Sequence, residues 1–145
     1  MMKTQFLLTF EEGLPRGTAQ QKRYDSRRHL YFKDKKLLSL ERTFKTALLP
    51  YRPKKPSEEP IRLDIWLTFS IKAPKRLWGT WKATKPDADN YVKELKDAMT
   101  AVGFWHDDAQ VVDLRVVKTY AEKGSITVQL ETLGNISKLR EARND

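Results

Sequence analysis

Three patterns in the sequence argue for an α+β domain: a mixed sheet of about four strands with two main helices, in the order β-α-β-α-β-β. In residues 61–72, Ile61, Leu63, Ile65, Leu67, Phe69 and Ile71 alternate with Arg62, Asp64, Trp66, Thr68, Ser70 and Lys72. Two stretches, 34–49 and 89–102, repeat apolar residues at helical spacing. Two more strand-like segments, 110–120 and 125–132, follow each other closely near the C-terminal end, the second alternating at Ile126, Val128 and Leu130. A strand–helix–strand crossover followed by a hairpin gives a mixed sheet with helices on one face.

Taken in order, Thr4, Phe6, Leu8 and Phe10 share one side of a first strand. Residues 13–33 then form a basic loop in which Gly13, Pro15 and Gly17 break all periodicity. From Arg16 to Lys36 there are eight Lys/Arg against two acids, Asp25 and Asp34. Asp34 is placed to cap a helix running to about Leu49, with Leu37, Leu40, Phe44, Ala47 and Leu48 on its inner face. Pro50 stops that helix, because the residue before a proline avoids helical angles. Pro53, Pro56 and Pro60 mark a linker inside the domain. Strand 61–72 buries Ile61, Leu63, Ile65, Leu67, Phe69 and Ile71. A basic loop with Trp78 and Trp81 leads to the second helix, whose stripe is Val92, Leu95, Met99 and Val102. Gly103 is its stop signal. Strands 110–120 and 125–132 read as an antiparallel hairpin closed by Ala121-Glu122-Lys123-Gly124. Residues 134–145 are a polar tail. The length of 145 residues fits one domain, 1–145.

Composition narrows the chemistry. With 28 Lys+Arg against 19 Asp+Glu the formal charge is +9, which favours a polyanionic partner such as nucleic acid. There is no cysteine, which excludes a disulfide framework and a thiolate metal site. His29 and His106 are the only histidines, too few for a His-rich zinc site. Any metal is therefore expected to be a hard, oxygen-preferring ion. No phosphate-binding P-loop, Gly-rich dinucleotide turn or internal repeat is present. The first apolar run is too short for a signal-peptide core, and no segment has the length of a membrane span, so a cytoplasmic protein without a membrane partner is expected.

Against this basic background, two acidic clusters flank the second helix. Asp87 and Asp89 stand at its entrance, behind Lys85 and Pro86. Asp107 and Asp108 stand beyond its exit, after Trp105 and His106. Singly, each has a bland explanation: aspartates cap helix N-termini, and an Asp-Asp pair makes an ordinary turn. Yet a cap needs one carboxylate, and Asp87 and Asp89 repel each other. Together, two or three carboxylates can hold Mg²⁺ or Mn²⁺ while leaving room for water and a phosphate oxygen. Lys93 projects from the same helical face as Asp89 and Asp97, where it can steady charge building on phosphorus or simply pair with either acid. A helix of fourteen residues is about 20 Å long, so spacing alone does not join the clusters. Oblique packing, a strand start beneath the helix N-terminus, or a homodimer would each close the gap.

The run Lys85-Pro86-Asp87-Ala88-Asp89-Asn90, then Lys93, then Asp107-Asp108-Ala109-Gln110-Val111 leading into a Val-rich strand, resembles the RusA family of Holliday junction resolvases. The opening strand followed by Gly13-Leu14-Pro15-Arg16 is compatible with it. The likeness covers most of the chain and is specific over 85–120. It implies a RusA-like fold and an Mg²⁺-dependent (Mn²⁺ substituting) homodimeric endodeoxyribonuclease of recombination and repair. Such an enzyme nicks two strands symmetrically at a four-way junction and leaves 5′-phosphate ends. The resemblance places the metal on Asp87, Asp89 and Asp108, with Asp107 a further candidate, and the catalytic lysine on Lys93. It also implies that the three carboxylates converge. Ala88 stands where a larger apolar residue is common in the family, and His106 has no assigned role. DNA contacts are expected from Arg16, Lys22, Arg23, Arg27, Arg28, Lys75, Arg76, Lys82 and Lys85. Tyr24, Trp78 and Trp81 are candidates to stack on unpaired bases, the alternative being that the tryptophans pack the core edge, Trp81 above all. Two competing functions are a non-catalytic junction binder and a metal nuclease acting on flaps or forks.

Overall fold

The computed structural model describes residues 2–15, 22–25, 30–33, 35–70 and 73–134, with side chains described outside 16–37. The chain runs β1 (Lys3–Phe10), β2 (Lys22–Asp25), β3 (Leu30–Lys33), α1 (Lys35–Leu48), β4 (Ile61–Phe69), α2 (Ala88–Val102), β5 (Val111–Tyr120) and β6 (Gly124–Thr132). The main sheet has the order β1-β6-β4-β5. β4 and β5 are parallel, and β6 is antiparallel to both β4 and β1. This is the expected α+β architecture, a four-stranded mixed sheet with two helices.

Two connections differ from expectation. The basic segment contains a small antiparallel sheet, β2 against β3, where a loop was expected. β5 and β6 do not form a hairpin: β4 lies between them. The α2 crossover sets β5 beside β4 as a parallel neighbour. β4 ends at Phe69, and the chain passes over that end, the Ala121 N–H donating to the Phe69 carbonyl at 3.1 Å. Gly124 permits the next step. A Cβ there would lie 2.9 Å from the Gly13 Cα and from the Leu14 nitrogen, so two backbones meet where no side chain fits.

One face of the sheet carries the core. Phe6 and Leu8 of β1, Ile61, Leu63, Ile65 and Leu67 of β4, and Ile126, Val128 and Leu130 of β6 are all buried. Leu40, Phe44 and Leu48 of α1 and Tyr91, Val92, Leu95, Ala98 and Met99 of α2 pack into the same cluster. Each fully buried aliphatic or aromatic side chain contributes about 1.5–3 kcal/mol of burial. Among the described residues no helix covers the opposite face. Arg62 of β4 there takes Asp113 of β5 at 2.9 Å and Glu131 of β6 at 3.4 Å. The Asp113 hydrogen bond is the main cause holding the Arg62 guanidinium above its usual range.

Candidate active site

The segment between β4 and α2 is bolted to the outer edge of β5. Gly79 N–H donates to the Tyr120 carbonyl at 2.8 Å, Tyr120 N–H to the Thr80 carbonyl at 3.0 Å, and Lys82 N–H to the Lys118 carbonyl at 2.9 Å. The Lys118 ammonium then donates to the Thr84 carbonyl at 2.8 Å and the Pro86 carbonyl at 2.7 Å. This fixes the backbone that delivers Asp87 to the start of α2. The Lys85–Pro86 peptide bond is cis. Below the helix entrance, the Tyr91 hydroxyl donates to the Pro15 carbonyl at 2.6 Å, and burial pushes that phenol up from its ordinary range.

Asp87 occupies the N-cap position of α2, but its carboxylate makes no capping hydrogen bond. Its backbone carbonyl takes the Tyr91 N–H at 3.0 Å. Its carboxylate has a long contact with the Asn90 amide at 3.4 Å. Asp89, in the first turn, is exposed. The positive end of the helix dipole favours both charges there. Lys93 is one turn further on and exposed, and its ammonium reaches Asp97 at 3.5 Å, the plain helix pairing available from its spacing.

At the exit of α2, Gly103 adopts the left-handed conformation (φ 96) and its N–H caps the Met99 and Thr100 carbonyls. Trp105 turns inward, buried, with its indole N–H on the Thr100 hydroxyl at 2.7 Å. It is a core residue. His106 is exposed, 3.7 Å from Glu58. Asp107 and Gln110 close the following turn, Asp108–Gln110, around each other. Asp107 accepts the Ala109 N–H at 2.8 Å, and the Gln110 side-chain oxygen accepts the His106 and Asp107 N–H groups at 2.8 and 2.9 Å. The Gln110 amide donates to the Ser57 and Glu59 carbonyls. So in Asp-Asp-x-Gln the first and last residues build the turn, and Asp108 has no such duty.

The two clusters stand at opposite ends of α2. Fifteen helical residues span about 22 Å. Val111, just beyond Asp108, pairs with Ile61 at one end of β4, whereas Lys118, which holds Pro86, pairs with Leu67 near the other. Among the described residues no three His, Asp or Glu side chains gather closely enough to hold a metal. One chain therefore brings Asp87, Asp89 and Lys93 to one end and Asp107 and Asp108 to the other. As donors these groups suit a hard divalent ion: they are carboxylates, and those of Asp87 and Asp108 are not used to cap a helix or turn.

Of the expected DNA contacts, Lys75, Arg76 and Lys85 are exposed. Lys82 is half-buried, donating to the Thr84 hydroxyl at 2.8 Å and lying over the Phe69 and Tyr120 rings. Arg16, Arg27 and Arg28 lie outside the described residues, and Lys22, Arg23 and Tyr24 are described in backbone only. Trp78 donates to the Ala73 carbonyl at 3.2 Å. Trp81 does not pack the core edge: it is 67% exposed, leaning on Trp66 of β4 at 6.1 Å. Sequence reasoning missed Lys118, Thr84 and Tyr120. A lone lysine in the Val-rich run of β5 was the available signal. The Thr84 hydrogen bond first, then Lys82 and Lys118, holds the Tyr120 phenol below its usual range.

By class the chain is an endodeoxyribonuclease. A family model described as endodeoxyribonuclease RusA matches residues 12–131, and the chain belongs to that family. It is 36% identical over 90 residues to the crossover junction endodeoxyribonuclease rusA of Lactococcus phage r1t, a match covering 61% of this chain and 68% of the relative. It is 50% identical over 74 residues to the crossover junction endodeoxyribonuclease RusA of Escherichia coli strain K12, covering 50% of this chain and 61% of the relative. A shorter match, 51% over 47 residues, is to the uncharacterised protein YqaN of Bacillus subtilis strain 168, covering 32% of each chain. The chain thus spans less than two thirds of the E. coli and B. subtilis relatives.

Proposed function

We propose that this protein is a divalent-metal-dependent, structure-selective endonuclease that resolves four-way DNA junctions by paired symmetric nicks, acting as a homodimer. The observation that carries the proposal is the Asp87/Asp89 pair: two acids at a helix entrance on a strongly basic chain, with the Asp87 carboxylate not spent on the cap. The relatives' names as crossover junction endodeoxyribonucleases point the same way.

Asp87, Asp89 and Asp108 would hold Mg²⁺, or Mn²⁺ in its place, and the ion would polarise the scissile phosphate and supply hydroxide at neutral pH. The chain's own residues do the remaining work. Lys118 fixes the backbone that presents Asp87. Lys93 places an ammonium one helical turn from Asp89, where it offsets charge building on the phosphate oxygens. Lys75, Arg76, Lys82 and Lys85 line the segment leading into the site and neutralise the DNA backbone. Trp81 offers an exposed ring for an unpaired base at the crossover. Among the described residues no helix is long and apolar enough to cross a membrane.

The test is a synthetic four-way junction beside a linear duplex of matched sequence, with and without Mg²⁺. The expected result is paired, symmetric, ligatable nicks in the junction only, and only with Mg²⁺. Equal cutting of the linear duplex, or preference for flaps and forks, would replace the resolvase assignment. Tight junction binding without any cutting would leave a binding protein. Affinity should fall by about 0.9 log units per tenfold salt for each phosphate neutralised.

A further inference from the structure

On the face of the sheet away from the helices, β4, β5 and β6 form a depression of about 210 Å³. Strand alternation aims Asp64 and Trp66 of β4 into it, away from the buried Leu63, Ile65 and Leu67. Across the register, Asp64 faces Arg115 of β5 and Gln129 of β6, and Trp66 faces Val117 and Thr127. All six line the depression. Pockets for drug-sized ligands run to roughly 300–1,000 Å³, so this one suits a single flat ring system.

Two features of this lining are unspent. Next along the same face, Arg62 of β4 and Asp113 of β5 are register partners and close at 2.9 Å. Asp64 and Arg115 are register partners in the same way, yet among the described residues neither side chain has an ion pair or hydrogen bond. The sheet closes one acid–guanidinium pair and leaves the next open, both groups turned to the depression. Trp66 is the second feature. Its indole N–H donates to the Thr119 hydroxyl at 2.9 Å, and Trp81 leans on it, so the ring is held in place. It is nonetheless 43% exposed. A ring that is both fixed and open can stack on a ligand at little ordering cost.

We propose that this depression binds an unpaired guanine of the DNA, stacked on Trp66 and Trp81 and read on its Watson–Crick edge by Asp64 and Arg115. The inference rests on the proposed action on branched DNA, which supplies unpaired bases, and it names the base. Stacking alone accepts every base, because each has a π-face. The edge decides. Guanine presents two adjacent donors, N1–H and the 2-amino group, beside one acceptor, O6. A carboxylate accepts two parallel donors, and a guanidinium donates to the acceptor. Neighbouring strands lie about 4.8 Å apart, so the two groups reach one base edge together. Adenine and cytosine present one donor next to a ring-nitrogen acceptor, and thymine one donor between two acceptors. Each of these sets an acceptor against the carboxylate. A phosphate is a poor occupant, because Asp64 repels it. Trp81 belongs to the segment that continues to Asp87, so a base held here is held partly by the segment that delivers Asp87.

The test is binding of the full chain, without metal, to short labelled oligothymidylates that carry one central guanine, hypoxanthine, adenine or cytosine, followed by fluorescence anisotropy. The guanine oligomer should bind about 5- to 150-fold more tightly than those with adenine or cytosine. Hypoxanthine lacks the 2-amino group and should fall between. Asp64→Ala should erase the guanine preference. Trp66→Leu should weaken every oligomer without changing their order. Trp81→Ala, at an exposed position where the fold is not at risk, should do the same. No binding, equal binding of all the oligomers, a preference for another base, or a guanine preference that survives Asp64→Ala overturns the inference. Cleavage is read separately on a four-way junction in Mg²⁺. A wild type that cleaves it but shows no base preference keeps the proposed function and loses the guanine site. A guanine preference lost in Asp64→Ala, in a protein that cleaves no junction, does the reverse.

Discussion

The two ends of α2 begin from the same material, a pair of neighbouring aspartates, and use it differently. At the entrance the Asp87 carboxylate sits at the cap position and makes no cap bond. Beyond the exit, Asp107 is fully engaged in a capping box with Gln110, which leaves Asp108 without a duty in the turn. Residue type does not separate a structural aspartate from an available one. What separates them is whether backbone N–H groups reach the carboxylate. A cap that spends its carboxylate returns about 1 kcal/mol of stability, whereas one that does not leaves that charge available to a ligand.

That contrast predicts opposite signatures in matched substitutions. The largest effect is expected for Asp89→Asn. Cleavage of a four-way junction should fall at least ~100-fold, the scale of losing one essential catalytic group. Junction affinity should hold or rise, because one negative charge facing DNA is gone. Melting temperature should barely move, since exposed positions without special contacts cost within about 0.5 kcal/mol. Normal cleavage by this variant in Mg²⁺ would remove Asp89 from the site. Asp108→Asn should behave alike. Asp107→Ala should do the reverse, losing about 1 kcal/mol in denaturant melts with cleavage reduced far less than in Asp108→Asn. If Asp107→Ala instead lost cleavage at unchanged stability, the division of roles between the two residues is inverted.

Gln110→Ala sharpens the same point on the folding side. Its side chain accepts two backbone N–H groups and donates to two carbonyls, tying the turn before β5 to residues 57 and 59. Removing it should cost about 1–3 kcal/mol in urea unfolding, through unsatisfied backbone groups. A loss of activity with no change in unfolding midpoint would place Gln110 in the chemistry instead.

Where one face of an element is buried, the sequence was a good guide. The alternation of β4 and the Val92/Leu95/Met99 stripe ending at Gly103 both correspond to elements that form. The β5–β6 connection misled because a short link between antiparallel strands looks the same whether or not a third strand lies between. Only the end of β4 at Phe69 decides it, and that is a tertiary fact. β2 and β3 carry no alternation, so nothing in Lys22-Arg23-Tyr24-Asp25 announced a strand. For Trp81 the alternative to base stacking was packing at the core edge, but it is exposed and the helices pack on the other face of the sheet. For the candidate site, the motifs named the acids, but their rotamers and their placement across about 22 Å of helix are set by packing.

Lys118 isolates positioning from folding. Its ammonium holds the Thr84 and Pro86 carbonyls, and these lie at the rim, where water can replace it. Lys118→Met keeps the aliphatic stem over its neighbours and removes only those two bonds. Unfolding free energy should therefore drop by only about 1 kcal/mol, the net value of a hydrogen bond whose partners can turn to solvent. The backbone that carries Asp87 is then no longer fixed, and displacement of a reacting group by about 1 Å can cost ~100-fold. Cleavage should fall by more than the melting shift explains, at unchanged junction affinity. Equal, proportionate losses in stability, binding and cleavage would instead make Lys118 a general brace of β5, with no particular tie to the entrance of α2.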